Sequence, residues 1–246
     1  MTLKYLLSLK EFPEGEKGQA LLERAFSGAD QGRRERAARM KTDRAKAACL
    51  GAGLLLRLAA GEAEGKMSDE KTSSWKQYSA SALLDRLEEG NFPAPALRYG
   101  EKGKPYFRDL PFYFNLSHSG EYVVCALSHR EMGADIQVHQ CRDRMRLARR
   151  FFTGEETAAL EKAHWQEDFF FRLWARKEAY GKLTGEGLAG ALDISLVPGS
   201  FREGPRGEKR LSFIRGREIS WEEPDLLPGY SIALCRYETE PQNSNI

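Results

Sequence analysis

The sequence predicts an α+β fold built from two similar α/β halves, divided as residues 1–128 and 129–246. Three observations carry that expectation. Helical and alternating apolar segments occur in both parts of the chain in the same rough order. Strands and helices do not alternate strictly, as a doubly wound sheet would require. The 246 residues suffice for one large domain or two ordinary ones, each with a sizeable core. No sequence repeat links the halves, so their likeness rests on element order alone.

The opening "MTLKYLLSLKEF" reads as a first strand, because its apolar stretch is too short and too interrupted by Lys4 and Lys10 to be a secretory leader. Residues 30–60 have helix-forming composition, a basic first half, and Leu50, Leu54, Leu55 and Leu58 at helical spacing, which predicts one or two helices. The polar run at 64–76 predicts a loop, followed by an amphipathic helix around Ser79 to Glu89 that Pro93 and Pro95 end. Short strands divided by Gly and Pro turns then fill residues 97–128. After a strand at 132–138 come helical regions at 143–164 and from Trp165 to Leu183, the last stopped by the glycines of "TGEG". "LDISLV", "LSFIRG" and "YSIALCRYE" read as closing strands, and "TEPQNSNI" as a frayed tail.

Composition narrows the function classes. Hydrophobic residues make up 41% and charged residues 30%, and no apolar run approaches the roughly 20 residues of a bilayer span, so no membrane role is expected. A net charge of +2 does not predict nucleic acid as a partner, despite the basic segment at 33–46. Cys49, Cys125, Cys141 and Cys235 lack the two-residue spacing of a zinc site or redox dithiol and read as buried thiols of a cytoplasmic protein.

The strand "MGADIQV" carries the first chemical signal. Side chains alternate along a strand, so Asp135 and Gln137 share one face while Ala134, Ile136 and Val138 share the other. A solvated edge strand is the plain alternative. In the helix "FFFRLWARKEAYGKLTGEG", Phe170, Leu173 and Trp174 mark a buried face, and Glu178 falls one turn after Trp174 with Lys182 one turn further. A surface Glu and Lys pair, worth only about 0.2–0.5 kcal/mol, would account for that spacing equally.

The order of four short motifs decides between these readings. Gly103 to Pro105 (GKP), Ser117 to Ser119 (SHS), Gly133 to Ile136 (GADI) and Trp174 to Ala179 (WARKEA) resemble the 4′-phosphopantetheinyl transferases of the larger, surfactin-type class. They span about 75 residues, and the "RRFF…E" stretch at Arg149 to Glu155 sits between them as in that family. The basic "KTDRAKAACLGAGLLLR" segment is similar to the family's N-terminal helix.

The resemblance implies two α/β halves related by pseudo-twofold symmetry in a monomer, coenzyme A in the cleft between them, and magnesium on its pyrophosphate. It implies transfer of 4′-phosphopantetheine to a serine of an apo acyl or peptidyl carrier protein, with release of adenosine 3′,5′-bisphosphate. Asp135 and Glu178 would be metal ligands, with Gln137 beside them; Lys182 would contact the pyrophosphate; His118 and Lys104, in the motif closed by Pro105, would contact the 3′-phosphate, with Ser117 a further nucleotide contact. Arg44 and Lys46 are the expected basic contacts within "RERAARMKTDRAKAA".

These residue types suit that chemistry. Magnesium takes oxygen ligands from one or two carboxylates plus substrate phosphates, and a serine attacking phosphorus needs neutralised phosphoryl oxygens and a base, for which Glu178 is the candidate. Gln137 stands where many members carry Glu, an amide that can still coordinate but lacks a charge. A phenylalanine contact at Phe151 and Phe152 would receive a carrier helix, the alternative being that both are core. His129, His139 and His164 show no partner pattern and read as surface or loop residues, whereas His118 follows a strand between two serines. Loss of catalysis with retained coenzyme A or carrier binding is the competing function; Lys177 retained beside Asp135, Glu178 and Lys182 speaks against it.

Overall fold

The computed structural model describes residues 2–12, 15–66, 74–141, 143–197, 202–203 and 210–239. The chain is α+β and forms two compact units, Met1–Arg98 with Pro105–His129, and Tyr99–Lys104 with Arg130–Ile246.

The first unit begins with β1 (Thr2–Ser8), whose Leu3, Tyr5 and Leu7 are buried. Helices α1 (Gly15–Gly28), α2 (Gln31–Ala38) and α3 (Asp43–Lys66) follow, so the predicted helical segment at 30–60 is two helices with a break between. Leu50, Leu54, Leu55 and Leu58 of α3 are all buried in the unit's main core, the stripe that a 3.6-residue period produces. Then come β2 (Trp75–Tyr78), α4 (Ala80–Glu89), the short hairpin β3 (Leu97–Tyr99) and β4 (Pro105–Phe107), and the hairpin β5 (Tyr113–Ser119) and β6 (Tyr122–Ser128). The sheet runs β2-β1-β6-β5, with β2 parallel to β1 and the other pairs antiparallel. The loop expected at 64–76 is corrected at both ends: α3 continues to Lys66 and β2 begins at Trp75, while residues 67–73 lie outside the described residues.

The second unit carries β7 (Met132–Val138), α5 (Arg144–Phe151), α6 (Gly154–Lys162) and α7 (Glu167–Thr184), then β8 (Arg202–Glu203), β9 (Arg210–Ile214), β10 (Arg217–Glu222) and β11 (Tyr230–Tyr237). Its antiparallel sheet runs β7-β11-β10-β9-β8. In both units the first strand pairs with the last, the penultimate strand lies beyond the last, and the longest helix packs on the first and last strands. That shared topology is what makes the halves similar.

The expected strand "LDISLV" is not one. Leu192 closes a 3-10 turn (Gly187–Ala191), and the backbone after it is bound by side chains instead of a ladder. Lys177 Nζ donates to the carbonyls of Ala191 (2.6 Å) and Ile194 (2.9 Å), Arg176 donates to that of Leu196 (2.6 Å), and Leu196 N donates to Glu156 (2.9 Å). Alternating apolar residues there fill two cores, Ile194 and Leu196 under α7 and Val197 beside α5 and α6. Of "TEPQNSNI", residues 240–246 lie outside the described residues.

Candidate active site

Strand β7 and helix α7 build the centre of the site. A Cβ on Gly133 would overlap the Ala179 carbonyl and crowd Leu183 N, so glycine is what lets the helix backbone lie directly on the strand. Asp135, two residues on and on the same face, then meets Lys182: Nζ lies 2.6 Å from Asp135 Oδ1 and 3.2 Å from the Ala134 carbonyl. Asp135 is only 1% exposed, which removes the solvated-edge reading although β7 does lie at an edge of its sheet. Gln137, half-buried and next on that face, donates Nε2 to Asp135 Oδ2 at 2.9 Å.

Glu178 completes the group from one turn before Lys182. Burial pushes its carboxyl above the ordinary carboxylate range, the negative charge of Asp135 pushes it further, and Lys182 opposes the rise. Two carboxylates therefore face one ammonium, a deficit of positive charge. A divalent cation suits this donor set: two carboxylates and an amide oxygen are within what magnesium uses, and the added charge would relieve the strain on Glu178. Among the described residues no group of three His, Cys, Asp or Glu side chains gathers anywhere, so this pair with its amide is a sparse site.

Next to the acid that faces Asp135 stands Lys177, whose buried partner Glu156 the sequence reading did not foresee. Lys177 and Glu156 are both 0% exposed and 2.9 Å apart. Glu156 also accepts from Thr153 N (2.8 Å) and Leu196 N (2.9 Å), and its own N–H is capped by the Thr153 hydroxyl, a capping box that starts α6. All three ammonium donors of Lys177 are thus spent on Glu156 and two carbonyls, which fixes the helix turn that carries Glu178. The T-x-x-E spacing in "TGEE" signals the cap from sequence, but its partner across 21 positions does not show there. Arg176 is likewise buried, against Glu223 at 2.8 Å.

Lys104, at the end of the β3–β4 turn, belongs to the second unit and donates Nζ to the Leu183 carbonyl at 2.7 Å; Pro105, half-buried, opens β4 in the first. The other expected contacts lie in the first unit. Thr42 Oγ1 accepts from Ala45 N at 3.2 Å and caps α3, in whose first turn Lys46 pairs with Asp43 at 2.7 Å. Arg44 reaches the β5–β6 turn, 3.4 Å from Glu121 and 3.4 Å from the Gly120 carbonyl. Two residues before that turn His118 is exposed on β5, and Ser117 is buried. Arg44, Lys46, Ser117 and His118 thus share one region around the start of α3 and the end of β5.

Other expectations need correction. His139 is the expected loop residue, in a bend after β7, but it is partnered: its ring stacks on Phe171 at 5.0 Å and Nε2 lies 2.9 Å from Ser231 Oγ. Cys141 is half-buried, the other three cysteines are buried, and all four are free thiols. Phe152 is core, packed on Phe170 and Trp174, whereas Phe151 is half-buried beside the exposed Arg149 and Arg150 of α5.

The residues that build this centre fall within a segment that is similar to known proteins. Residues 131–235 match the family model described as the 4′-phosphopantetheinyl transferase superfamily. Among curated proteins, it is 45% identical over 136 residues to the 4′-phosphopantetheinyl transferase psf-1 of Bacillus pumilus, covering 54% of this chain and 57% of that one. It is 40% identical over 149 residues to 4′-phosphopantetheinyl transferase Sfp of Bacillus subtilis (strain 168), covering 55% and 60%. To 4′-phosphopantetheinyl transferase AcpT of Escherichia coli (strain K12) it is 43% identical over 98 residues, covering 38% and 50%. The chain thus spans between half and three-fifths of these relatives' lengths.

Proposed function

We propose that the protein transfers 4′-phosphopantetheine from coenzyme A to a serine of an apo acyl or peptidyl carrier protein, releasing adenosine 3′,5′-bisphosphate, as a monomer in the cytoplasm. The observation that carries this reading is the gathering of Asp135, Gln137, Glu178 and Lys182 on one face of β7 and α7, within the segment that matches the transferase superfamily.

Asp135, Glu178 and the amide of Gln137 would hold magnesium, which supplies charge neutralisation at the pyrophosphate. Lys182 orients Asp135 through its 2.6 Å ion pair and would bring its positive charge to the phosphoryl oxygens. Glu178 receives the proton of the attacking serine; its affinity for a proton, raised by burial and by Asp135, suits it to that work. Arg44, Lys46 and His118, with the Ser117 backbone beside them, would bind the 3′-phosphate at the start of α3, where the helix N-terminus also favours an anion. The exposed face of α5, with Arg146, Arg149 and Arg150 around Phe151, would receive the carrier. No described helix is long and apolar enough to cross a membrane, and four free thiols suit a reducing compartment.

The test is to incubate the protein with coenzyme A, Mg²⁺ and an apo carrier protein and weigh the carrier. A gain of one phosphopantetheine is expected, and Asp135→Ala and Glu178→Ala should each abolish it. Binding of coenzyme A with no change in carrier mass would leave the non-catalytic alternative that Gln137 suggests; robust transfer by either alanine variant would remove the proposed site.

A further inference from the structure

Lys104 occupies an unusual place for a lysine in a glycine-rich turn. Its amine is half-buried against a helix end, and burial pushes its pKa down while Glu131 opposes the shift. The last four carbonyls of a helix have no partner within it, and a cation there satisfies one of them and complements the helix dipole. In α7 that carbonyl is Leu183's, 2.7 Å from Lys104 Nζ. The helix then stops at Gly185 with φ of 72°, and the Lys104 stem lies across this left-handed cap, with Cδ 3.6 Å from where a Cβ would stand. A second bond from the same turn, Lys102 to Glu186 at 2.9 Å, lies just beyond it. The turn is itself tied by Gly100 N to the Lys104 carbonyl (2.9 Å) and Gly103 N to the Gly100 carbonyl (2.8 Å). Lys182 directly precedes the clamped residue, and its Nζ makes the 2.6 Å pair with Asp135.

We propose that Lys104 is a positioning residue: it clamps the last turn of α7 through the Leu183 carbonyl and so holds Lys182 in register with Asp135. Its importance for transfer, which rests on the function proposed above, comes through Lys182 and not through a phosphate of coenzyme A. A frayed last turn would let Lys182 leave Asp135 although no residue proposed to contact coenzyme A has itself been replaced.

The experiment compares wild type with K104M, K104Q and K104R. Amide hydrogen exchange over residues 182–186 should quicken by roughly tenfold in K104M and K104Q and return toward wild type in K104R. With coenzyme A and apo carrier protein, kcat should fall roughly tenfold in K104M and K104Q while KM for coenzyme A stays within about twofold, and K104R should recover most of kcat. Unchanged exchange in both neutral variants, or a raised KM for coenzyme A with kcat intact, would overturn the proposal. The exchange arm needs no turnover, so absence of transfer by the wild type would sink the transferase reading and leave the clamp to be judged by exchange alone.

Discussion

The buried pair of Glu156 and Lys177 gives the sharpest stability prediction. Both side chains are 0% exposed, and their polar atoms are matched by one another, by Thr153 N and Leu196 N on the acid, and by the Ala191 and Ile194 carbonyls on the amine. Glu156→Ala would leave a buried ammonium facing only carbonyls and would strip half of the capping box from α6. Removing one partner of a buried ion pair costs about 3–5 kcal/mol, and a lost cap adds about 1. Since 1 kcal/mol moves Tm by roughly 2–4 °C in chains of 150–250 residues, the variant should melt about 8–24 °C lower. Replacing both partners, Glu156→Gln with Lys177→Met, removes both charges together and should lose much less than the two single changes added. The assay is urea unfolding followed by tryptophan fluorescence, which reports the second unit because Trp165, Trp174 and Trp221 lie there and only Trp75 lies in the first. Single variants that each cost under about 1 kcal/mol, or costs that simply add in the double variant, would refute the reasoning.

Three further outcomes follow from the site. Gln137→Glu adds a third negative oxygen donor beside Asp135 and should lower the half-saturating Mg²⁺ concentration for carrier modification; an unchanged value would count against metal binding at this place. Gly133→Ala should destabilise the second unit, since its methyl would meet the helix backbone and not a movable side chain, and a melting temperature within about 1 °C of wild type would show that α7 can back away freely. Glu178 titrates above the ordinary carboxylate range, so the acid limb of the rate profile should lie above the usual Glu value of about 4.3. The sign for stability is opposite: a folded state that holds this proton more tightly than the unfolded chain loses stability as pH rises through the raised value. Glu178→Gln should therefore melt higher than wild type at neutral pH without metal, and the same as wild type below the unfolded pKa; a lower melting temperature at neutral pH would reverse that assignment.

Local pattern made part of this legible. Period-two alternation put Asp135 and Gln137 on one face of β7, and the leucines of α3 declared its buried stripe, because both signals are set by backbone geometry. The meeting of Asp135 with Lys182 and Glu178 depends on which strand α7 covers, which no spacing within the helix encodes. Gly133 is the residue that permits the contact, and in sequence it reads only as part of a short motif. "LDISLV" misled for a related reason: its apolar residues alternate as in a strand, yet its backbone partners are the side chains of Arg176, Lys177 and Glu156, distant in sequence. The contact of Lys104 with the Leu183 carbonyl was equally hidden, since a lysine between glycine and proline looks the same whether it meets an anion or a helix carbonyl.

The pairing of β7 with β11 has a bearing on biosynthesis. Register couples Asp135 with Ala233 and Gln137 with Ser231, so the strand that carries the acid gains its in-sheet neighbour only after nearly a hundred further residues have left the ribosome. Until then a nascent α7 has half a platform to settle on. A stop codon anywhere ahead of Tyr230 would delete that neighbour and with it the carboxylate's support, however much of the motif-bearing sequence had already been translated.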